Sequence, residues 1–269
     1  MRLDLHTHTT YSDGDLEIEG NVKRAIELGI DGIAITDHDN IDTWEEIDEE
    51  NYPIMVIKGV ELSTYYKGSS VHVLGYYLND GGDYQELDEL LKKTREDRLK
   101  RIDKMISLLQ PLGIKLTREE ILSEAHGAVA RPHVAKAIMK KYPELGLSMD
   151  DVFDKYIGND APAYVPVNHF LTTDAIPLLK RNHCLAVVAH PLLIKNVDFH
   201  ELLDLGIDGI EGFYSYDFVP SEDVIKVGDE AGILVTGGSD YHGPVTRDTM
   251  GSITVDDERA KEFLKRIEM

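Results

Sequence analysis

The chain has 269 residues, 42% of them hydrophobic, which suits one large domain or one domain that carries an insertion. Its 50 acidic and 28 basic residues give a formal net charge of −22, so its surface repels polyanions and we expect no stable binding of duplex nucleic acid. One cysteine, Cys184, excludes an internal disulfide, and the amino-terminal residues contain no apolar run long enough for a signal peptide or a membrane span, so we expect a cytoplasmic protein without a membrane partner.

The chain opens with a predicted strand that carries two histidines. Polar and apolar residues alternate over positions 3–6, and His6 and His8 are two residues apart, so both imidazoles point to the same face. A Ser-Asp-Gly turn follows, from which the carboxylate of Asp13 can reach back toward them. This stretch predicts a metal site, because an expression tag, the alternative, repeats histidine instead of spacing two across a hydrophobic alternation.

Six more apolar runs predict strands, and polar residues stand in them or at their carboxyl ends. The predicted strands cover residues 31–36, 54–62, 70–77, 184–189, 207–211 and 233–236. With the opening stretch they supply nine candidate metal ligands, which are His6, His8, Asp13, His38, Glu61, His72, His190, Asp240 and His242. His72 alone would be typical of a hydrogen-bonded core histidine, but its place in this series favours metal binding.

Two segments, 27–36 (ELGIDGIAIT) and 204–213 (DLGIDGIEGF), are similar in sequence and indicate a repeated helix-strand unit. An α/β protein keeps its site at the carboxyl ends of its strands, where we expect the ligands to meet. Glu211 also ends a predicted strand, and the sequence assigns it no role. The histidines in predicted helices or loops are expected to be structural or surface residues; they are His126, His169, His183 and His200.

Residues 84–160 predict helices without strands, and we interpret them as an inserted helical subdomain. Within it, Ala-Arg131-Pro-His133 stands at a predicted helix start, where a guanidinium fork and the first helical amides suit a phosphate group. We therefore predict that Arg131 and His133 bind substrate, with a surface ion pair as the alternative for Arg131. Tyr164, near the end of the insert, could stack on a base.

Nine oxygen and nitrogen ligands without a thiolate exceed what one metal ion takes from a protein. Two or three divalent ions that share a bridging carboxylate account for the set. Such ions suit phosphoester hydrolysis, because a water that bridges two of them is deprotonated near neutral pH and the hydroxide can attack the phosphorus while the ions hold the phosphoryl oxygens.

Taken in order, the motifs resemble those of the PHP (polymerase and histidinol phosphatase) superfamily. They are His6-Thr-His8, Ser12-Asp13-Gly14, Thr36-Asp37-His38, Gly59-Val-Glu61, Ala189-His190-Pro191 and Gly238-Ser239-Asp240-Tyr-His242. The resemblance spans nearly the whole chain. The insert that carries Arg131 and His133 is similar to that of the stand-alone branch, which hydrolyses nucleotides and short RNA.

The resemblance implies an α/β fold, namely a distorted seven-stranded β/α barrel of residues 1–83 and 161–269 with residues 84–160 as its helical insert. It also implies three ions, bound respectively by His6, His8, Glu61 and Asp240; by Asp13, His38 and His242; and by Glu61, His72 and His190. Asp37 would orient a ligand imidazole. Some family members have histidine where this chain has Asp13, and this exchange of a neutral ligand for an anion favours a harder metal such as manganese or iron over zinc, although the identity of the metal stays open among the three.

The expected function is that of a metal-dependent phosphoesterase for a small nucleotide, such as a nucleoside 3′,5′-bisphosphate, or for the 5′ end of short single-stranded RNA. A phosphatase for a non-nucleotide monophosphate such as histidinol phosphate, and a non-catalytic metal-binding module, are the alternatives. The leaving group would receive its proton from His190 or from a metal-bound water. The exact substrate, the metals and the oligomeric state do not follow from the sequence.

Overall fold

The computed structural model describes residues 1–47, 51–125, 129–166, 170–214, 220–245 and 247–268. Two compact units make up the chain, one formed by Met1–Leu91 with His169–Met269 and the other by Lys92–Asn168. His126 and His169, two of the histidines expected to be structural or surface residues, lie outside the described residues.

Seven strands form one sheet in the first unit, in the order in which they occur along the chain. They are β1 (Leu3–Thr7), β2 (Gly32–Ile35), β3 (Met55–Tyr66), β4 (Ser69–Tyr77), β5 (Cys184–Val188), β6 (Gly209–Tyr214) and β7 (Leu234–Gly238). After β7 the chain returns to β1, where the carbonyl of Tyr241 accepts the N–H of His8 at 2.8 Å. The sheet is therefore a nearly closed barrel, and it confirms the predicted fold. Its distortion is β4, which runs antiparallel to both neighbours.

The helices are α1 (Ile18–Glu27), α2 (Gln85–Leu109), α3 (Arg118–Leu122), α4 (Arg131–Lys141), α5 (Met149–Val152), α6 (Thr172–Arg181), α7 (Glu222–Ala231) and α8 (Asp257–Ile267). Short 3-10 helices cover Asp42–Glu45, Gln110–Leu112, Pro143–Leu145, Pro191–Leu193 and Phe199–Leu205, and a π-helical turn covers Phe153–Ile157. None of the helices in the described ranges has both the length and the apolar composition needed to cross a membrane.

The second unit has its own core, formed by one side each of α2, α3, α4 and α5. Ile102, Met105, Ile121 and Ile138 are among its buried residues. The start of α2 belongs to the other unit, because Leu87 and Leu91 are buried in the core of the barrel. Ala163 and Val165, by contrast, are buried in the second core. Burial thus groups residues 84–91 with the first unit and residues 161–166 with the second.

The two similar segments of the sequence fold in the same way. Gly29 and Gly206 follow a helix with φ of 66° and 76°, a left-handed conformation that glycine adopts without strain. Two positions later, Asp31 accepts the N–H of Arg2, the residue before β1, at 2.7 Å, and Asp208 accepts the N–H of Ala186 in β5 at 2.9 Å. These contacts set where β2 and β6 begin, and so they set which residues reach the far end of the barrel.

Candidate metal centre

The nine side chains predicted to bind metal lie together at one end of the barrel. They are carried by β1 and the loop after it (His6, His8, Asp13), the loop after β2 (His38), β3 (Glu61), β4 (His72) and the loops after β5 (His190) and β7 (Asp240, His242). Their ligand atoms form three sets, and within each set all the atoms lie within 4.8 Å of one another. The sets are His6, His8, Glu61 and Asp240; His8, Asp13, His38 and His242; and His38, Glu61 and His72.

The fully buried carboxylate of Glu61 is the centre of this cluster. Its two oxygens are approached by Nε2 of His6 (3.1 Å), Nε2 of His8 (3.2 Å), Nδ1 of His38 (3.1 Å), Nδ1 of His72 (2.8 Å) and Nε2 of His190 (3.0 Å). Three of these nitrogens face Oε2 and two face Oε1. A carboxylate with imidazoles on both oxygens is arranged to bridge metal ions.

Two more carboxylates, those of Asp240 and Asp13, lie against the imidazoles of the cluster. Oδ1 of Asp240 lies 3.4 Å from Nε2 of His6 and 3.2 Å from Nε2 of His8. Oδ1 of Asp13 lies 3.3 Å from Nε2 of His242. Acids and imidazoles therefore alternate across the cluster, so that each group of ligands contains at least one anion.

Divalent ions fit this donor set, because several of its buried atoms otherwise have no partner. The atoms without a hydrogen bond from the described residues include Nε2 of His6, Nε2 of His8, Nδ1 of His38, Oε2 of Glu61 and Oδ1 of Asp13. An orphaned polar atom inside a protein costs about 1–3 kcal/mol. Divalent cations bound between these atoms would give each of them a partner. Nitrogen and oxygen donors of this kind suit zinc, manganese or iron.

The protonation of the cluster shows how strongly its members interact. Burial raises the pKa of the Glu61 carboxyl, but the surrounding imidazoles of His38, His6 and His72 outweigh burial and hold that pKa well below its usual range. Burial lowers the pKa of His8, whereas the carboxylates of Asp240 and Glu61, each 3.2 Å from its Nε2, raise it to about 10. Without metal, protons on His6 and His8 compensate the carboxylates, whereas burial lowers the pKa of His38 to about 4.

Asp37 holds the loop that carries Asp13. Its Oδ1 accepts the N–H of Thr9 at 2.8 Å and the hydroxyl of Ser12 at 2.6 Å, and its Oδ2 accepts the hydroxyl of Thr9 at 2.7 Å. Oγ of Ser12 in turn lies 3.4 Å from Nδ1 of His8. Asp37 thus reaches a candidate ligand imidazole through Ser12.

Strand β6 carries none of the nine predicted ligands, yet two of its side chains point toward them. Glu211 pairs with Thr236 of β7 and Tyr214 pairs with Gly238, because a bulge lies between Glu211 and Phe213. Residues three apart in a regular strand face opposite sides of the sheet, so the bulge turns both side chains to the same side. No local sequence signal marks Tyr214, while Glu211 shows as a charge at the end of an apolar strand.

Glu211 and Tyr214 each hold candidate ligands in place. Glu211 accepts from Nδ1 of His6 at 3.1 Å and from the backbone N–H of His190 at 2.8 Å. The hydroxyl of Tyr214 donates to Oδ2 of Asp240 at 2.8 Å. Both loops held in this way contain backbone in the left-handed region, with φ of 29° at His190 and 52° at Asp240. Such conformations cost about 1–3 kcal/mol and persist only where surrounding contacts impose them.

In the second unit, Arg131 and His133 lie on the first turn of α4. Nη1 of Arg131 donates to Oδ1 of Asn159 at 2.9 Å, and its guanidinium carbon lies 5.5 Å from the ring centre of Phe153 and 5.6 Å from that of Tyr164. Nδ1 of His133 accepts the N–H of Ala130 at 2.9 Å. Arg131 forms no ion pair with a carboxylate of the described ranges, so the surface ion pair is not observed.

Of the other histidines, His183 and His200 form exposed pairs with Asp80 and Asp198 away from the cluster. Cys184 is buried at the start of β5.

Comparison with known proteins identifies a family and two relatives named for reactions on phosphate esters. Residues 4–154 match the family model of the PHP domain. The 5′-3′ exoribonuclease Rnm of Escherichia coli is 35% identical over 195 residues, which are 70% of this chain and 64% of that protein. The match thus spans less than two thirds of that relative. The 3′,5′-nucleoside bisphosphate phosphatase of Chromobacterium violaceum is 29% identical over 265 residues, covering 90% of this chain and 87% of the relative.

Solved structures agree with the barrel fold. A candidate metal-dependent phosphoesterase from Bifidobacterium adolescentis superposes with a TM-score of 0.77 at 26% sequence identity. The superposition covers 98% of this chain and 96% of that one.

Proposed function

The chain belongs to the PHP domain family, as its motifs predict, and from that membership we propose that it is a metal-dependent phosphoesterase acting on a small nucleotide or the 5′ end of short single-stranded RNA. The observation that carries the proposal is the buried Glu61 carboxylate with five imidazoles around it. Such a donor set can bind clustered divalent ions, and clustered ions are suited to phosphoester hydrolysis.

The proposed ligand sets are His6, His8, Glu61 and Asp240 for a first ion; Asp13, His38 and His242 for a second; and Glu61, His72 and His190 for a third. The observed distances support the first set fully. In the second set, Oδ1 of Asp13 lies 3.3 Å from Nε2 of His242 and Oδ2 of Asp13 lies 3.8 Å from Nε2 of His38. When bound, the ions would activate a water and neutralise the charge of the phosphoryl group. Manganese, iron and zinc all suit these donors.

The chain's own residues orient this chemistry. Glu211 and Tyr214 hold His6 and Asp240 in position, so that the ligands do not have to reorganise when substrate binds. His190 has two proposed roles, as a ligand of the third ion and as the proton donor to the leaving group. A His190→Gln variant distinguishes them, because only loss of a ligand lowers the metal content.

We further propose that Arg131 and His133 bind a phosphate of the substrate other than the one that is cleaved. Nδ1 of His133 accepts the N–H of Ala130, which orients its ring at the start of α4, two residues after Arg131. Arg101 supports the same assignment, because its Nη2 is buried without a partner in the described part of the chain. Burial and the positive charge of Arg131 lower the pKa of Arg101. The guanidinium groups of Arg101 and Arg131 repel each other, and an anion bound near both of them would reduce this repulsion.

The relatives support a nucleotide substrate, since they are named for RNA and for nucleoside bisphosphates. The net charge of −22 favours a compact ligand over a long polyanion. The decisive experiment compares kcat/KM for a nucleoside monophosphate, its 3′,5′-bisphosphate, a 5′-phosphorylated short RNA and histidinol phosphate with one metal. We expect the bisphosphate or the RNA to be preferred. Preference for histidinol phosphate contradicts the nucleotide assignment, and absence of turnover with every metal indicates a binding module.

A further inference from the structure

Among the residues that the structure describes, Arg247 is the one arginine or lysine that is hydrogen-bonded to a candidate metal ligand. Its Nη1 donates to Oδ2 of Asp240 and, at 3.0 Å, to the hydroxyl of Tyr214. The other oxygen of Asp240 faces His6 and His8. One carboxylate therefore separates Arg247 from the metal centre.

The backbone holds Arg247 at this position. The chain turns back directly after the ligand His242, whose N–H donates to the carbonyl of Arg247 at 3.2 Å. The N–H of Arg247 donates to the carbonyl of Gly243 at 3.0 Å. Its guanidinium carbon also lies 5.4 Å from the ring centre of Tyr214. A side chain held at both ends in this way loses little further freedom on meeting a ligand.

Much of the guanidinium is not used by these contacts. Nε and Nη2 of Arg247 have no acceptor within the described ranges, and the side chain is 34% exposed. A guanidinium presents its donors in a planar fork that matches two oxygens of a phosphoryl group. The candidate ligands are carboxylates and imidazoles, so Arg247 is the one guanidinium of the described residues that contacts the cluster.

We propose that Arg247 contacts the phosphoryl group of the ester that is cleaved, donating from Nε and Nη2 to its non-bridging oxygens while Asp240 and Tyr214 hold Nη1. The inference rests on the proposed phosphoesterase function and adds a substrate contact to it. It separates two phosphate contacts on this chain, Arg247 for the reacting group and Arg131 for the other phosphate. A fixed cation at the reacting group stabilises the negative charge on these oxygens as the ester bond breaks.

The test is the binding of inorganic phosphate to the manganese-loaded protein, measured by titration calorimetry beside metal content. Arg247→Gln should weaken phosphate binding about 10- to 150-fold, the effect of losing a charged, bidentate contact, with metal content unchanged. Arg259→Gln is the matched control. Arg259 also pairs with an aspartate, Asp229, at 2.9 Å, and lies over a ring of β6, that of Phe213. This control should bind phosphate like the wild type.

A second variant keeps the inference testable if Arg247→Gln does not fold. Arg247→Lys retains the charge but lacks the fork, so it should bind phosphate more weakly than the wild type and with the same metal content. Wild-type phosphate affinity in either variant overturns the inference. A parallel loss of metal overturns it as well, because Arg247 would then act by positioning Asp240. If the wild type binds phosphate but the variants do not differ from it, the inference alone fails. If the wild type neither binds phosphate nor cleaves any phosphoester, the proposed function fails with it.

Discussion

Oε1 of Glu211 lies 3.1 Å from Nδ1 of His6, although 205 positions separate the two residues in the chain. A carboxylate on one nitrogen of an imidazole determines its tautomer and its orientation, and so directs the other nitrogen at the metal. Here that other nitrogen is Nε2 of His6, which faces Glu61 and Asp240. The second oxygen of Glu211 holds the backbone of His190, so one side chain positions two candidate ligands.

Glu211→Gln should therefore weaken metal binding about 10- to 100-fold, the usual effect of losing such an orienting carboxylate. The measurement is competition with a chelator of known affinity. Glu222→Gln is the control, because Glu222 is exposed at the start of α7 and far in sequence from every ligand. Equal metal affinity in the Glu211 variant and the wild type would show that His6 is oriented without its carboxylate partner.

Glu61→Ala should remove the shared ligand of the proposed ions, so that metal content falls and turnover drops by several orders of magnitude. Chelator should likewise abolish wild-type hydrolysis, and added manganese should restore it. His183→Ala serves as the control, because His183 is an exposed histidine paired with Asp80. Metal analysis and initial rates test both variants. A Glu61 variant with normal metal content and rate contradicts the site assignment.

Arg131→Ala should weaken substrates that carry a second phosphate about 10- to 150-fold, because a bidentate arginine contact contributes roughly 1.5–3 kcal/mol. Substrates with one phosphate should lose much less. Arg118→Ala, which removes another arginine of the second unit, paired with Asp103, should leave both unaffected. The comparison uses kcat/KM for a nucleoside bisphosphate and its monophosphate. Loss of metal in the Arg131 variant, or an equal loss on both substrates, would rule out the proposed role.

Metal affinity should rise with pH, because metal binding has to displace a proton from His8. The pKa of His8 is raised to about 10 in the metal-free cluster, so this imidazole is protonated at pH 7. Calorimetry in two buffers of different ionisation enthalpy should show proton release at pH 7 that declines toward pH 10. Absence of proton release at pH 7 would contradict the assignment of His8 as a ligand.

The same raised pKa predicts how the stability of the metal-free protein depends on pH. A histidine whose folded pKa lies above its unfolded value near 6.5 stabilises the fold fully below pH 6.5, and this contribution is lost as pH rises toward 10. The Tm of chelator-treated protein should therefore fall over this range. Metal-loaded protein, in which the proton is replaced, should show a smaller decrease. Parallel curves for the two forms would mean that His8 makes no such contribution.

The sequence by itself determined the family, the α/β barrel and the nine residues that the structure brings together. The family and its barrel follow from the resemblance of the ordered motifs to those of the PHP superfamily. The nine residues follow from the spacing of two between His6 and His8 and between Asp240 and His242, and from acids and imidazoles in or just after apolar runs. Such patterns are local, because a strand alternates its side chains with a period of two and parallel strands end at the same side of a sheet. The repeated segments 27–36 and 204–213 are local signals of the same kind.

Asp37 was predicted from the family resemblance to orient a ligand, but only the tertiary structure decided which other residues do so. Glu211 faces His6, and Tyr214 shares that side of β6, because a bulge shifts the register against β7, and a register shift leaves no periodic trace in the sequence. Arg247 meets Asp240 through a turn whose geometry depends on hydrogen bonds to His242 and Gly243. Burial of Leu91 in one core and of Val165 in the other likewise depends on packing between distant segments. Contacts of this type are set by strand order and side-chain volume, which arise only when the whole chain folds.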